Sequence, residues 1–472
     1  MYGSSIHESD QTSWNVKLQR LEAWLNGGQG FYISDNVVLQ DIQESGRGLY
    51  LKDGKISKND VVVTIPSEYQ LNFHTVVYHI SQFNRNLVFE GITCEPHLDS
   101  KKNGATDDPR FEMYESLNNE KVLQLSSFQL LSLYILLEWK ILPSYFSIES
   151  FWKPFFDVFP TPEELSSIPA LWELSIASKN KPLFDCLPWA SKSHAERIVA
   201  LVRNDWSVIE PLVKQWCNKI ERDSGISLTS RDFYSDFLHI YFVINSRCLY
   251  MHVPLKDSIA DNFTLVPYVD FLNHDADSEL YCTPKVDKLK RGKCGLGTFS
   301  IIGGSHQYKQ SGEQILLSYG AHSNDFLLNE YGFVLPTNKW NYMDVSPHCE
   351  SMISGKSLQD FLKKHEFWGD YTISEGDISY RLLVAFASKV CPDLRKVEKL
   401  MLGYLTEASF DPALTELIQE FLQTLHEEVK TQISVIQSLT DTDPVCPKNV
   451  LSIYHGYELI LQNHRAGESQ ES

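Results

Sequence analysis

Hydrophobic residues near the N-terminus recur at intervals of three and four. This spacing places them on one face of a helix, so it predicts an amphipathic α-helix within the first thirty residues. The residues that carry the pattern are Trp14, Leu18, Leu21, Trp24 and Leu25. The adjacent glycines at positions 27 and 28 are expected to end this helix.

The pattern changes to short apolar or β-branched runs between residues 31 and 71. The runs at 37–39, 49–51 and 61–65 are separated by glycines and by Asn-Asp or Asp-Gly pairs. This alternation predicts a compact, strand-rich unit with tight turns. Strand signals return at residues 264–269, 297–302 and 314–319. The charged stretch 285–293 between two of them is interpreted as a hairpin loop.

Helical periodicity dominates from about residue 121 to residue 250, and again after Pro336. Residues 123–137 are apolar nearly all round, which indicates a fully buried helix. Residues 414–425 show a single apolar face, and Asp411 and Pro412 before them form a helix start signal. The pattern therefore predicts an α+β chain, with a strand-rich domain that carries a long helical insertion and then an all-helical C-terminal domain.

Composition and charge narrow the class of partner. The 472-residue chain is 43% hydrophobic and 22% charged, as is usual for folded soluble proteins. Its net charge of −19 argues against nucleic-acid binding, which needs a basic surface, and favours a basic protein partner. The most apolar window, 130–142, is too short to span a bilayer, so we expect no membrane contact.

The cysteines and the N-terminus bear on the compartment. Nine cysteines are scattered without a C-x-x-C pair, which argues against a zinc ribbon and fits a reducing compartment. The N-terminus lacks a charged region followed by an apolar stretch, so no signal peptide is expected. We therefore expect a cytoplasmic protein, and a nuclear share stays open.

Single motifs in the chain have ordinary structural explanations. Gly46-Arg47-Gly48 is typical of a turn or bulge, and Asn273-His274 follows an apolar strand. No second ligand cluster accompanies these residues, so no metal is expected. A serine hydrolase is disfavoured because the G-x-S-x-G motif is missing.

The order and spacing of these motifs resemble the SET-domain protein methyltransferases. In chain order, the segments are Gly46-Arg-Gly-Leu49, Ser246-Arg247, Asp270-Phe-Leu-Asn273-His274, Gly312-Glu313, Ser318-Tyr319-Gly320 and Asn329-Glu-Tyr-Gly-Phe333. The helical insertion and the helical C-terminal region are similar to the Rubisco large-subunit methyltransferase class, which includes fungal ribosomal-protein lysine methyltransferases. The resemblance covers about residues 20–463.

The resemblance implies a fold and a domain organisation. It implies a SET domain over residues 20–335, built of short β-sheets with a pseudoknot and a helical insertion at about 115–250. A helical domain over residues 340–465 would follow, resembling the family's substrate-docking domain. The other interpretation of that domain is that it covers a sheet edge and replaces the cysteine cluster that binds zinc in many SET proteins.

The resemblance also implies S-adenosyl-L-methionine as cofactor and Tyr319 as the catalytic residue. The cofactor-binding residues that it implies are Ser45, Gly46, Arg47, Arg247, Asp270, Phe271, Leu272, Asn273, His274, Tyr331, Gly332 and Phe333. A guanidinium such as that of Arg247 suits the cofactor's carboxylate, and Phe333 would stack on its adenine side. Ser45 stands where some relatives have Glu, while Glu44 lies one position earlier.

The implied function is lysine methylation of a non-histone protein, with a ribosomal protein or translation factor as the best guess. Two alternatives stay open: a SET-fold scaffold that has lost the chemistry, and a protein-histidine methyltransferase. Relatives that methylate histidine carry a polar residue two positions after the arginine, and Leu249 stands there instead. This difference favours a lysine pocket.

Overall fold

The protein is described by a computed structural model over residues 5–42, 46–89, 108–176, 178–256, 258, 261–291, 296–440 and 442–467. The chain forms two compact units, each built from two separated stretches. The first unit combines Met1–Leu165 with Ala200–Gly320, and the second combines Ser166–Val199 with Ala321–Ser472. The domain limits near residues 335 and 340 stay a prediction from the sequence.

The first unit contains the predicted amphipathic helix and most of the predicted helical insertion. Its helices are α1 (Ser5–Asn26), α2 (Phe73–Ser81), α3 (Arg110–Met113), α4 (Asn119–Gln124), α5 (Ser127–Ile135), α6 (Leu142–Phe146), α7 (Lys153–Phe156), most of α10 (Trp189–Ser224) and α11 (Tyr234–Arg247). A π-helical turn, Leu136–Ile141, joins α5 to α6. The fully buried helix predicted over 123–137 starts only at Ser127, because Ser126 caps it, and Leu123 lies 47% exposed on α4.

The strands of the first unit form three small sheets. The strands are β1 (Tyr32–Ile33), β2 (Val37–Ile42), β3 (Gly46–Leu51), β4 (Val61–Ile65), β5 (Leu71–Asn72), β6 (Leu249–Tyr250), β7 (Phe263–Leu265), β8 (Tyr281–Arg291), β9 (Gly297–Ile302) and β10 (Leu316–Leu317). The sheet orders are β1-β4-β9-β8-β10, β2-β3 and β5-β7-β6. β10 is parallel to β8, so the chain crosses over between them.

The hairpin loop predicted over 285–293 is wrong for its described part. Residues 285–291 belong to β8, which pairs antiparallel with β9. Lys285 is exposed, so its charge stays in water. Charge alone does not exclude a strand when main-chain pairing satisfies the backbone, and here the partner is β9, the next strand along the chain.

The stretch after Gly312 lies between two earlier parts of the chain. On one side the amide of Ile315 donates to the carbonyl of Leu49 on β3, over 2.8 Å. On the other side the amide of Leu317 donates to the carbonyl of Asn273, also over 2.8 Å. The predicted pseudoknot requires this arrangement, and it brings residue 319 beside residues 273 and 274.

The second unit has one hydrophobic core that residues 172–195 share with the C-terminal helices. Its helices are α8 (Pro169–Leu174), α9 (Lys181–Phe184), the start of α10, α12 (Asn324–Tyr331), α13 (Ser346–Met352), α14 (Lys356–Lys364), α15 (Tyr380–Val390), α16 (Leu394–Met401), α17 (Ala413–Ser438) and α18 (Val445–Gly467). Deleting the chain from residue 340 onward would expose Trp172 and Phe184, which are buried in this core. We therefore expect the truncated protein to lose stability, whether or not the deleted region also docks substrate.

The C-terminal region also contains a sheet that the all-helical prediction did not include. β11 (Tyr342–Asp344), β12 (Thr372–Ser374) and β13 (Asp377–Ile378) form an antiparallel sheet. Strands of two or three residues are too short to show a period of two in sequence. Among the described helices of both units, none has the length and apolar character that crossing a bilayer requires.

Candidate active site

One short segment after β7 connects the residues that sequence analysis singled out. The carbonyls of Asp270 and Leu272 both accept hydrogen bonds from distant parts of the chain. Arg247 Nη1, at the end of α11, donates to the carbonyl of Asp270 over 2.6 Å. The hydroxyl of Tyr319 donates to the carbonyl of Leu272 over 2.8 Å. The predicted catalytic tyrosine and the predicted arginine therefore bind carbonyl groups that lie two residues apart on the same segment.

The next residue of the segment reaches β3. Asn273 Nδ2 donates to the carbonyl of Arg47 over 3.1 Å, so its amide connects the segment to β3. The turn or bulge predicted for residues 46–48 is wrong, because these residues pair in regular register with β2. Gly48 lies directly behind the Asn273 amide, and a Cβ there would come within 3.0 Å of Asn273 Nδ2 and 2.6 Å of Gln314 Nε2. Only a residue without a side chain leaves this close contact undisturbed.

His274 orients the ring of Tyr319. The backbone amide of Tyr319 donates to His274 Nδ1 over 3.3 Å, which places the imidazole proton on Nε2 in the neutral ring. The two rings stack with centroids 5.2 Å apart and planes 15° apart, and Tyr281 also stacks on His274, with centroids 5.8 Å apart. This stack leaves the Tyr319 hydroxyl at the carbonyl of Leu272, so its direction is set before any ligand binds.

Burial keeps the Tyr319 phenol neutral. Burial raises the pKa of Tyr319 above its ordinary value, and the Arg247 guanidinium opposes this shift only in part. The hydroxyl therefore stays a hydrogen-bond donor, and its oxygen suits contact with polarised C–H groups.

The carboxyl of Asp270 is buried beside the same arginine. Burial raises the pKa of Asp270 to about 6, although the Arg247 and Arg47 guanidinium groups oppose the shift. Because the folded chain then holds this proton more tightly than the unfolded chain, its contribution to the free energy of unfolding falls as pH rises. The fall spans about pH 4 to pH 6 and amounts to about 3 kcal/mol.

We expect Asp270→Asn to remove this pH dependence. The difference in Tm between variant and wild type should shift by several degrees in favour of the variant between pH 4.5 and pH 8, because the amide carries no charge to bury. Thermal unfolding at both pH values measures it. The exposed Asp35→Asn is the control, and an equal Tm difference at the two pH values would contradict the assignment.

The guanidinium of Arg47 is held by the protein itself. Its Nη1 donates to the carbonyl of Val158 over 3.1 Å, its Nη2 pairs with Glu164, and its carbon lies 4.6 Å from the ring centroid of Trp14. Sequence analysis missed Glu164 because an acidic residue in a loop carries no periodic signal. The main-chain carbonyl of Arg47, and not its side chain, reaches Asn273.

The remaining predicted cofactor residues do not all fall in this cluster. Gly46 begins β3 with φ +66°, and Phe271 is buried with its ring 6.0 Å edge-on from that of Trp14. Ser45 and its neighbour Glu44 lie outside the described residues. Roles for these residues in cofactor binding stay predictions.

Tyr331, Gly332 and Phe333 belong to the second unit. Gly332 ends α12 with φ +80°, and its carbonyl accepts a hydrogen bond from Ser167 Oγ over 2.6 Å. The rings of Tyr331 and Phe333 lie 6.1 Å apart. Their predicted role against the adenine also stays a prediction.

The first-unit cluster fits the amino-acid end of S-adenosylmethionine. Gln314 Nε2 is buried with no hydrogen-bond partner among the described residues, and Gly48 leaves the adjacent space free of a side chain. The amide of Asn273 and the cation of Arg247 add the donors that a carboxylate needs. In the part of the chain described, no group of three or more His, Cys, Asp or Glu side chains is placed to hold a metal ion.

The substitution Gly48→Ala tests this fit. The new methyl group would push on the Gln314 and Asn273 amides, so we expect affinity for S-adenosylhomocysteine to fall about tenfold. Isothermal titration measures this affinity. Gly355→Ala is the control because a Cβ there meets nothing within 4 Å. Unchanged affinity in Gly48→Ala would separate Gly48 from the cofactor site.

Comparisons with known proteins identify the family of the chain. Residues 341–466 match the family model for the ribosomal lysine N-methyltransferase 2 C-terminal domain. Ribosomal lysine N-methyltransferase 2 of Saccharomyces cerevisiae is 44% identical over 471 residues, which cover 95% of this chain and 98% of the relative. Ribosomal lysine N-methyltransferase set11 of Schizosaccharomyces pombe is 32% identical over 172 residues, covering 36% and 39% of the two chains.

Similar solved structures identify the fold of the chain. The SET domain of LSMT bound to lysine and AdoHcy matches with a TM-score of 0.54 at 16% identity, over 97% of this chain and 92% of that one. Rubisco LSMT bound to sinefungin and monomethyllysine matches equally, with a TM-score of 0.54. The fold is therefore that of SET-domain proteins, as the ordered motifs predict. The chain belongs to the ribosomal lysine N-methyltransferase 2 family and is a SET-fold, S-adenosylmethionine-dependent protein-lysine methyltransferase.

Proposed function

We propose that the substrate of this enzyme is a ribosomal protein, and that methyl transfer to its lysine takes place at Tyr319. The observation that carries the proposal is the 44% identity along nearly the whole chain to an enzyme named for ribosomal lysine methylation. The net charge of −19 supports it, because ribosomal proteins are commonly basic and opposite charge speeds encounter.

The chain's own groups position the reaction. S-adenosylmethionine, when bound, supplies a methyl group on a positively charged sulfur. The Tyr319 hydroxyl and the carbonyl of Leu272, joined by their 2.8 Å hydrogen bond, form a fixed polar pair that the incoming amine and the polarised methyl group can contact. Because these dipoles are set in place before binding, they cost no reorganisation during transfer.

The target lysine must lose its proton before it attacks. Burial at Tyr319 and the nearby Arg247 cation both disfavour a second positive charge, so they lower the pKa of an amine placed there. The neutral amine then reacts along the line of the breaking bond, and the protein contributes mainly orientation. Tyr319 is assigned a holding role and not that of a base, because its phenol stays protonated.

A methyl-transfer assay tests the substrate proposal. Purified enzyme is incubated with radiolabelled S-adenosylmethionine and with ribosomal proteins extracted from cells, or with core histones as a matched basic control. We expect label in one ribosomal protein band and none in histones. Label in histones and in no ribosomal protein would contradict the proposal.

We further infer that the enzyme works in the cytoplasm, where ribosomal proteins are made. The free state of Cys186, Cys217, Cys282, Cys349 and Cys446, all buried, supports a reducing compartment. Fractionation of cells with a tagged chain tests the inference. Recovery of the chain only in an oxidising compartment would contradict it.

A further inference from the structure

Tyr268 has a backbone conformation that a bulky residue rarely adopts. Its φ is +67° and its ψ is −33°, outside the regions that L-residues ordinarily occupy. It stands directly before the 3₁₀ turn Val269–Phe271, which leads into the Asp270–Asn273 segment of the active site. A strained residue persists only where its surroundings hold it, and such residues cluster at functional sites.

The side chain of Tyr268 is held by the N-terminal helix. Its hydroxyl donates to Glu22 Oε1 on α1 over 2.5 Å, and the residue is 1% exposed. Burial, and next the Glu22 carboxylate, raise the pKa of the Tyr268 phenol, so the hydroxyl keeps its proton and remains the donor. The ring also packs edge-on against Phe271, with centroids 5.9 Å apart.

A second residue of α1 reaches the same segment. The ring of Trp14 lies 6.0 Å from that of Phe271, and the Arg47 guanidinium carbon lies over the Trp14 ring, 4.6 Å from its centroid. Trp14 and Glu22 are eight residues apart, or about 12 Å along the helix. Helix α1 therefore contacts the 3₁₀ turn twice, at Tyr268 through Glu22 and at Phe271 through Trp14.

The turn at Tyr268 sets the direction of the carbonyls that the active site uses. The amide of Phe271 donates to the carbonyl of Tyr268 over 3.3 Å, and the amide of Leu272 donates to that of Val269 over 3.1 Å. Rotation of the Tyr268 backbone would turn these peptide planes. The carbonyl of Leu272, which receives the Tyr319 hydroxyl, would turn with them.

We propose that Glu22 and Tyr268 form a positioning pair through which helix α1 sets the geometry of the cofactor-binding segment. Neither residue is assigned contact with substrate or cofactor. The proposal rests on the proposed function, since it assumes that the segment binds S-adenosylmethionine beside Tyr319. A purely structural pair would change the melting temperature of the protein without changing ligand affinity in the folded state.

Four variants of the full chain test the pair by titration with S-adenosylhomocysteine. Glu22→Ala and Tyr268→Phe should each weaken affinity about tenfold, because each removes one end of a charge-assisted hydrogen bond. The double variant should be no weaker than either single variant. Glu22→Gln keeps an acceptor oxygen and should bind within about twofold of wild type. Gln19→Ala, exposed on the same helix, is the control.

The outcomes separate the two proposals. If Tyr268→Phe binds S-adenosylhomocysteine as tightly as wild type, whatever its melting temperature, the positioning role is wrong. Additive losses of affinity in the double variant would also overturn it. If Glu22→Ala fails to fold, Tyr268→Phe and Glu22→Gln still decide the question, because both retain the buried volume. A folded wild-type protein that binds no S-adenosylhomocysteine would contradict the proposed function itself, and the positioning role would fall with it.

Discussion

Tyr319→Phe should lower kcat about a hundredfold while affinity for S-adenosylhomocysteine stays within about twofold of wild type. The variant keeps the ring that stacks on His274 and removes only the hydroxyl that donates to the carbonyl of Leu272. The loss falls on kcat because the hydroxyl matters most when charge redistributes during transfer. Steady-state methylation and isothermal titration measure the two quantities.

Tyr281→Phe is the matched control for this substitution. Tyr281 also stacks on His274, but its hydroxyl donates to the carbonyl of Asp275 and not to that of Leu272. We expect its kcat to stay within a few-fold of wild type. If Tyr319→Phe retained full turnover, or if both variants lost activity equally, the catalytic assignment of Tyr319 would be wrong.

Asn273→Ala should weaken S-adenosylhomocysteine binding by about tenfold to a hundredfold. The substitution removes the amide that joins the segment to the carbonyl of Arg47, and it leaves that carbonyl without its donor in a partly buried place. Free-energy losses of this kind amount to about 1–3 kcal/mol. Titration with S-adenosylhomocysteine gives the affinity, and thermal unfolding shows whether the variant is folded.

Asn36→Ala serves as the control for Asn273→Ala. Asn36 also donates from Nδ2 to a main-chain carbonyl, that of Lys55, but in an exposed turn. Its removal should leave cofactor affinity unchanged. Should Asn273→Ala bind as tightly as wild type while remaining folded, the Asn-His segment would not be the cofactor site.

The sequence predicted helices and strands correctly where the local hydrophobic pattern matches the element that forms in the folded chain. The period of three and four at Trp14 and Leu21 matches α1, and the alternating runs near Val61 match β4. The fold was not readable where strand pairing overrides the local pattern. The charged residues of β8 form a strand because their main chain pairs with β9, the next strand, and the short β11 pairs with β12 across two intervening helices.

The candidate site likewise contains residues that the sequence predicted and residues that it did not. Arg247, Asn273 and Tyr319 were predicted because each stands in a motif whose order is informative, and the structure brings them to one segment. Tyr268 and Glu22 were not found, because a positive φ and a contact between residues 246 positions apart leave no local trace. For Arg47 the motif located the residue, but only the fold showed that its side chain pairs with Glu164.

Tandem mass spectrometry of the methylated product tests the central claim most directly. Ribosomal proteins are incubated with the enzyme and with S-adenosylmethionine that carries a deuterated methyl group, and Tyr319→Phe is run in parallel. The account predicts a deuterated methyl group on the ε-nitrogen of one lysine, and a strongly reduced signal in the variant. A label on a histidine ring, or no label from enzyme that binds S-adenosylhomocysteine, would contradict it.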